Sequence, residues 1–286
     1  MSIHVHKTGL NKTLGQQSDA IVTSADLGID GDCEGLIGNF IPTVGINTHY
    51  WENQEEGSAC DLGNLRRVNG IGHSTTDPDH FLLDGTDDYL GIVEDGYGGT
   101  SLVELGGGTD PFTLAQWFKY NNVNHYIFFV GDDAAVGTTP TASHSYIVLE
   151  VLASNDQCKL TVRPEYDGSV RSDTATFSNF TFADDTWYYV ALTHDGANDY
   201  SVYVNGSYIG SMTSTYALAS STSSTFAVEC GAKNIDGTSA YSGAGTKIGH
   251  IHVYENGYLT NSQVRQNFLA THSVNNTRVY GATYTA

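Results

Sequence analysis

The run Trp187-Tyr-Tyr-Val-Ala-Leu-Thr-His194 is dense in aromatic and branched residues and is bounded by the turn former Asp195-Gly196, the signature of a strand. Its alternate residues form two sets, Trp187, Tyr189, Ala191 and Thr193 against Tyr188, Val190, Leu192 and His194, and both sets are rather apolar. A strand apolar on both faces belongs in the middle of a two-sheet stack. Working outward, Asn205-Gly206 sits between Tyr200-Ser-Val-Tyr-Val204 and Ser207-Tyr-Ile-Gly210, as the two-residue turn of a hairpin does. Similar short runs recur between Gly, Asp and Asn clusters: 112–120, 126–130, 145–152, 159–164, 225–230 and 247–254. One helix stands out over residues 261–270, where Thr260 can cap the N-terminus and Val264, Phe268 and Leu269 share a face.

The totals agree with one large all-β unit plus tails. The chain has 286 residues, 40% of them hydrophobic, with 18 Tyr and 11 Phe to fill a core. Thirty-two acidic residues against 12 basic ones give a formal charge of −20, which disfavours nucleic acid and anionic membranes as partners. No apolar run approaches the length of a membrane span, and the first twenty residues lack the apolar stretch of a secretory signal. Cys33, Cys60, Cys158 and Cys230 are widely spaced, without a CxxC pair, and read as reduced thiols of a chain made in a reducing compartment. Residues 1–42 are polar and Gly-rich, without sustained periodicity, and read as an extended N-terminal arm. The sandwich is expected over 43–272 and a tail over 273–286.

Several segments in order resemble the laminin-G-like members of the concanavalin A-like lectin and glucanase superfamily. They are His49-Tyr-Trp-Glu52, Ala59-Cys-Asp-Leu-Gly-Asn64, Phe81-Leu-Leu-Asp-Gly-Thr-Asp-Asp-Tyr-Leu90, Phe112-Thr-Leu-Ala-Gln-Trp-Phe118, the Trp187 run, Tyr203-Val-Asn-Gly206 and Lys247-Ile-Gly-His-Ile-His-Val-Tyr254. The resemblance covers about residues 45–272 and implies an all-β fold. The expected architecture is a two-sheet antiparallel jelly-roll β-sandwich, with one short C-terminal helix and the arm at its N-terminus. Within that fold Trp117 and Trp187 are expected in the inter-sheet core.

Chemistry is sparse. Glucanases of the superfamily carry two acidic residues on one face of a strand, because retaining hydrolysis needs carboxyls about 5 Å apart. No such run occurs: Glu150 has no acidic partner two or four residues away, and Glu94-Asp95 would point to opposite faces. No G-x-S-x-G elbow is present either, so no catalytic residue is assigned. His250 and His252 alternate on one strand and could ligate a transition metal, but the resemblance implies that the inward positions are those of the apolar Ile251 and Val253, which leaves the histidines outside as a solvated pair. Calcium is the better metal candidate: the resemblance implies a loop-bound ion, and Asp84, Asp87 and Asp88 form the matching acidic cluster. Loop tyrosines and amides, Tyr97, Asn122, Tyr166 and Tyr241, are the candidates for contacts to carbohydrate.

Together these point to a non-enzymatic structural protein of a bacteriophage virion: a capsid decoration, head fibre or tail appendage with its lectin-like domain facing outward at the virion surface. The arm would bind other virion proteins or sister subunits in a homo-oligomer, and the sandwich would engage cell-surface glycans. A stand-alone carbohydrate-binding lectin or adhesin is the alternative, with a glycoside hydrolase behind it.

Overall fold

The structure, a computed structural model, describes residues 35–41, 46, 50–51, 65–76, 78–92, 111–132, 146–163, 172–215, 226–235, 238–255 and 257–272. Its strands are β1 (Gly35–Phe40), β2 (Tyr50–Trp51), β3 (Leu65–Val68), β4 (Gly72–Ser74), β5 (His80–Leu82), β6 (Tyr89–Ile92), β7 (Phe112–Tyr120), β8 (His125–Asp132) and β9 (Tyr146–Leu152). They continue with β10 (Gln157–Arg163), β11 (Asp173–Phe177), β12 (Thr186–His194), β13 (Asp199–Val204), β14 (Ser207–Thr213), β15 (Phe226–Cys230), β16 (Ala232–Ile235), β17 (Thr238–Tyr241) and β18 (Lys247–Glu255). One helix, α1 (Asn261–Thr271), follows.

Two eight-stranded antiparallel sheets stack face to face. Sheet A runs β14-β13-β12-β7-β18-β5-β4, with β1 also paired to β18, and sheet B runs β11-β10-β9-β8-β15-β6-β3-β2. The expected all-β sandwich is present; the run read at 112–120 is β7 to the residue, and β12 adds only Thr186 to the run at 187–194. The hairpin turn at Asn205-Gly206 has positive φ at both residues, 51° and 75°, as a type I′ turn requires.

Three apolar clusters organise the packing. The largest lies between the sheets and takes Tyr188, Val190 and Leu192 from one face of β12, together with Phe118, Phe128, Leu149, Ile251 and Val253. Trp51 belongs to it, its ring 4.7 Å from that of Phe81. The second lies on the opposite face of sheet A, where Trp117, Trp187, Tyr189, Ala115 and Ala191 meet Val264 and Phe268 of α1. The two tryptophans expected between the sheets are therefore buried under the helix instead. Alternation along a strand separates its two faces but does not say which layer covers each. The third cluster, Tyr126, Phe129 and Val148, lies on the outer face of sheet B, with Ala240 of the β16–β17 hairpin packed against it.

The helix docks as its apolar stripe dictates. Phe268 stacks on Trp117 with ring centroids 5.6 Å apart, Trp117 Nε1 donates to Thr271 Oγ1 at 2.7 Å, and Asn267 Nδ2 donates to the Tyr254 hydroxyl at 2.7 Å. At its start, Gln263 Oε1 accepts the Thr260 N–H at 2.9 Å, the reach-back half of a capping box.

Strand β1 changes the boundary of the arm. Residues 35–40 pair antiparallel with β18, from Gly35 beside Glu255 to Phe40 beside Ile251. The sandwich thus begins inside the segment read as an arm, because β18 has a free edge beyond β5 that β1 fills. Residues 1–34 and 273–286 lie outside the described residues. Cys158 and Cys230 are free and buried, and Cys33 and Cys60 lie outside the described residues.

Candidate functional site

Three turns converge at one end of the sandwich. The β7–β8 turn presents Asn121, Asn122 and Asn124, with Asn122 exposed and in the left-handed region at φ 55°. Asn121 Nδ2 donates to the Ala244 carbonyl at 2.7 Å, and the Gly243 N–H donates to the Asn124 carbonyl at 2.9 Å. The same 242–246 segment holds the β5–β6 turn: Gly245 N–H donates to Leu83 O and Leu83 N–H to Thr246 O, both at 3.0 Å. Gly85 makes this contact possible, since a Cβ there would fall 2.3 Å from Ala244 N and its φ is 81°. Ser242 completes the junction: its Oγ accepts the Tyr126 N–H at 2.9 Å and lies 2.9 Å from His125 Nδ1. Either neutral tautomer makes that contact, because the hydroxyl has a second lone pair as well as its hydrogen. His125 is fully buried, and burial holds its pKa down at about 3.

Within this rim the sequence-predicted acidic residues come together. One oxygen from each of Asp84, Asp87 and Asp88 lies within 4.8 Å of the others. Asp84 Oδ1 accepts the Thr86 N–H at 2.7 Å, an Asx turn that local chemistry explains. Asp88 is different, being only 4% exposed; its Oδ2 accepts the Asp84 N–H at 3.0 Å, and its Oδ1 is buried without a hydrogen bond. Burial raises its pKa above the ordinary carboxylate value; the Asp84 N–H opposes this, and the charges of Asp84 and Asp87 add to the rise. A buried carboxylate oxygen beside two further carboxylates, with no donor facing it, suits a hard cation that takes oxygen ligands. The donor set fits Ca²⁺ in type.

The remaining sugar candidates divide. Tyr241 ends β17, directly before the 242–246 segment, and its ring centroid is 6.3 Å from that of Tyr89, the residue after Asp88. Asn122, Tyr241 and the aspartates thus occupy neighbouring parts of one rim. Tyr97 and Tyr166 lie outside the described residues.

The two histidines of β18 need a correction. They do point away from the inter-sheet core, but His252 is fully buried rather than solvated. It lies in register between Ala115 of β7 and Asn39 of β1, its ring 6.4 Å from Tyr189, on the face that α1 covers. Neither of its ring nitrogens has a hydrogen-bond partner, and burial pushes its pKa down to about 4. His250 stacks on it at 5.5 Å and is half-buried. No described carboxylate or cysteine joins the pair in a metal-ligand group.

Glu150, considered for catalysis, sits on the outer face of sheet B between two ammonium groups, Lys159 Nζ at 3.2 Å and Lys233 Nζ at 3.1 Å. Lys233 also lies over the Tyr126 ring, 4.6 Å from its centroid. This arrangement ties the β16–β17 hairpin to the sheet. Sequence reading missed it because its members, Glu150, Lys159, Lys233 and Tyr126, come from four separate strands.

Comparison with known proteins agrees with this architecture. A laminin-G family model described as the concanavalin A-like lectin/glucanases superfamily matches residues 85–265, well over half of the chain. A search of curated proteins by sequence gave no match. Among solved structures, domain 4 of an extracellular arabinanase from Geobacillus stearothermophilus, in complex with arabinotriose, superposes with a TM-score of 0.54 at 16% identity, covering 83% of this chain and 99% of that one. The binding domain of botulinum neurotoxin serotype G gives 0.55 at 13% identity over 84% of this chain, and Trypanosoma rangeli sialidase 0.53 at 15% over 82%. The chain spans about half of that neurotoxin domain and a third of the sialidase, at 52% and 32%. At these identities the likeness is one of fold. Family match and fold together establish that this chain belongs to the laminin-G-like group of the concanavalin A-like lectin/glucanase superfamily.

Proposed function

We propose that this protein is a non-catalytic carbohydrate-recognition module whose binding site is the rim formed by residues 84–88, 121–124 and 241–246, with a calcium ion held by Asp84, Asp87 and Asp88. The observation that carries this reading is the buried, unpartnered Oδ1 of Asp88 inside a cluster of three carboxylates. It marks a place where a cation would be stabilised, beside the exposed amides of Asn122 and Asn124 and the half-buried ring of Tyr241, groups of the kind that grip sugars. The arabinanase domain with the same fold was solved holding arabinotriose, which supports saccharide as the ligand class. A glycan array probed with the whole chain in calcium, and again after EDTA, tests it. Binding that calcium strengthens supports the reading; no binding to any glycan in either condition overturns it.

A display role is favoured by polarity. The rim lies at the Lys247 end of β18, while Gly35, where the N-terminal segment enters the fold, lies beside Glu255 at the other end. Those nine residues span roughly 27 Å at about 3.4 Å per residue. A segment attached to a larger particle, such as a bacteriophage virion, would therefore hold the rim outward. Removing residues 1–34 should abolish incorporation into such a particle while leaving glycan binding intact. Unchanged incorporation would end the virion reading.

A further inference from the structure

The outer face of sheet A carries, at the rim, a row of four residues aligned across neighbouring strands: Trp187, Lys119, Lys247 and Leu82. Directly opposed residues in an antiparallel pair project from the same face with Cβ atoms about 5 Å apart, and like charges so placed are destabilising. Two lysines opposed in this way are unexpected in a chain with 12 basic residues and 32 acidic ones. Only one described carboxylate answers them. Asp185, itself 83% exposed, pairs with Lys119, whose hydrogen bond and charge lower the aspartate's pKa. Lys247 makes no ion pair among the described residues. Beside the row lies His80, buried, its Nδ1 2.7 Å from the Pro78 carbonyl and its ring edge-on to Trp187 at 6.0 Å. Leu82 is 40% exposed, one of three large hydrophobic side chains with that character among the described residues.

The geometry points to Lys119 and Lys247 as the anion-binding half of the rim, recognising a carboxylate or sulfate group of an acidic glycan. This rests on the reading of the rim as a glycan site and specifies the ligand class within it. A single anionic group between two ammonium groups relieves their repulsion and takes charge-assisted hydrogen bonds from both. Exposed Leu82 beside them offers apolar surface to the C–H face of a sugar ring. Asp185 is the group the ligand would displace from Lys119.

The test is affinity, measured by calorimetry on the whole chain, for two matched pairs of probes. One pair is tetragalacturonate and its methyl ester; the other is a sulfated galactan hexasaccharide and its desulfated form. The acidic member of at least one pair should bind at least about tenfold more tightly than its neutral counterpart, and which pair does so tells carboxylate from sulfate. Lys119→Gln with Lys247→Gln should erase that difference while leaving neutral binding in place and, with the opposed charges gone, without lowering thermal stability. Asp185→Asn should strengthen acidic binding about threefold, which a merely structural lysine pair would not show. Equal affinity for acidic and neutral probes overturns this inference and leaves the glycan reading standing. Absence of binding to every probe, acidic and neutral, also overturns this inference, and the glycan reading then stands or falls by the array.

Discussion

Asp88 Oδ2 accepts the backbone N–H of Asp84 at 3.0 Å, so a single carboxylate closes the turn between β5 and β6 and leaves its other oxygen buried without a partner. The hydrogen bond fixes the turn, and the orphaned oxygen is the strongest sign that the turn does more than reverse the chain. Most buried polar atoms find a partner. One that does not, in the middle of an acidic cluster, is stabilised most simply by a cation.

The first prediction follows from that atom. The folded pKa of Asp88 is raised above its unfolded value. The folded state therefore holds this proton more tightly, and without metal stability falls as pH rises through the interval between the unfolded and folded values. Asp88→Asn keeps an acceptor for the Asp84 N–H and removes the charge. It should raise the melting temperature in EDTA and abolish the rise that calcium produces in the parent. Thermal unfolding of both proteins, with and without calcium, checks this. An unchanged calcium response in the variant would remove Asp88 from the site.

Gly85 links the acidic turn to the rest of the rim. A side chain there would meet Ala244 backbone at 2.3 Å, with φ already at 81°. Gly85→Ala should cost about 3 kcal/mol or more, since strain at positive φ adds to the clash. Calcium and glycan affinity should fall with it, because the 242–246 segment could no longer close on the turn. Chemical denaturation and calorimetry would show both effects.

Phe268 holds α1 over the second cluster, stacked on Trp117 and packed with Tyr189. Phe268→Ala should destabilise by about 3–5 kcal/mol. Trp117 should become more exposed as the helix loosens, shifting its fluorescence to longer wavelength. Destabilisation without a fluorescence change would mean that the helix stays docked.

Acid sensitivity should centre on the buried histidines. His252 and His125 are held at about 4 and about 3 by burial, below the ordinary value of 6.5. The unfolded chain binds protons at these groups first, so their contribution is fully present above pH 6.5 and is lost progressively as pH falls toward the folded values. His252→Leu should flatten the fall in stability between about pH 6 and 4. A parent stability that stays level across that interval would contradict the burial of a neutral His252.

What the sequence made legible divides along physical lines. Strands β7 and β12, the Asn205-Gly206 hairpin and α1 are written in local periodicity and turn chemistry, and the aspartates of the rim are neighbours in sequence. The destination of Trp117 and Trp187 is set by where α1 docks, and the burial of His252 depends on the helix layer closing over one face of β18 while β1 fills its edge. Neither is encoded in the strand itself. The opposition of Lys119 and Lys247 depends on register between strands far apart in the chain, which no single stretch reveals. The β1 pairing escaped reading because Gly35-Leu-Ile-Gly-Asn-Phe40, with two glycines, carries little strand signal.

Hydrogen exchange of the whole chain, measured with calcium in the free state and again saturated with the tightest glycan from the array, tests the central claim most directly. The account predicts that protection on binding concentrates at residues 84–88, 121–124 and 241–246, with Lys119 and Lys247 at its border. Protection confined to the opposite pole, around Phe112, His194 and Glu255, with the rim unchanged, would contradict it.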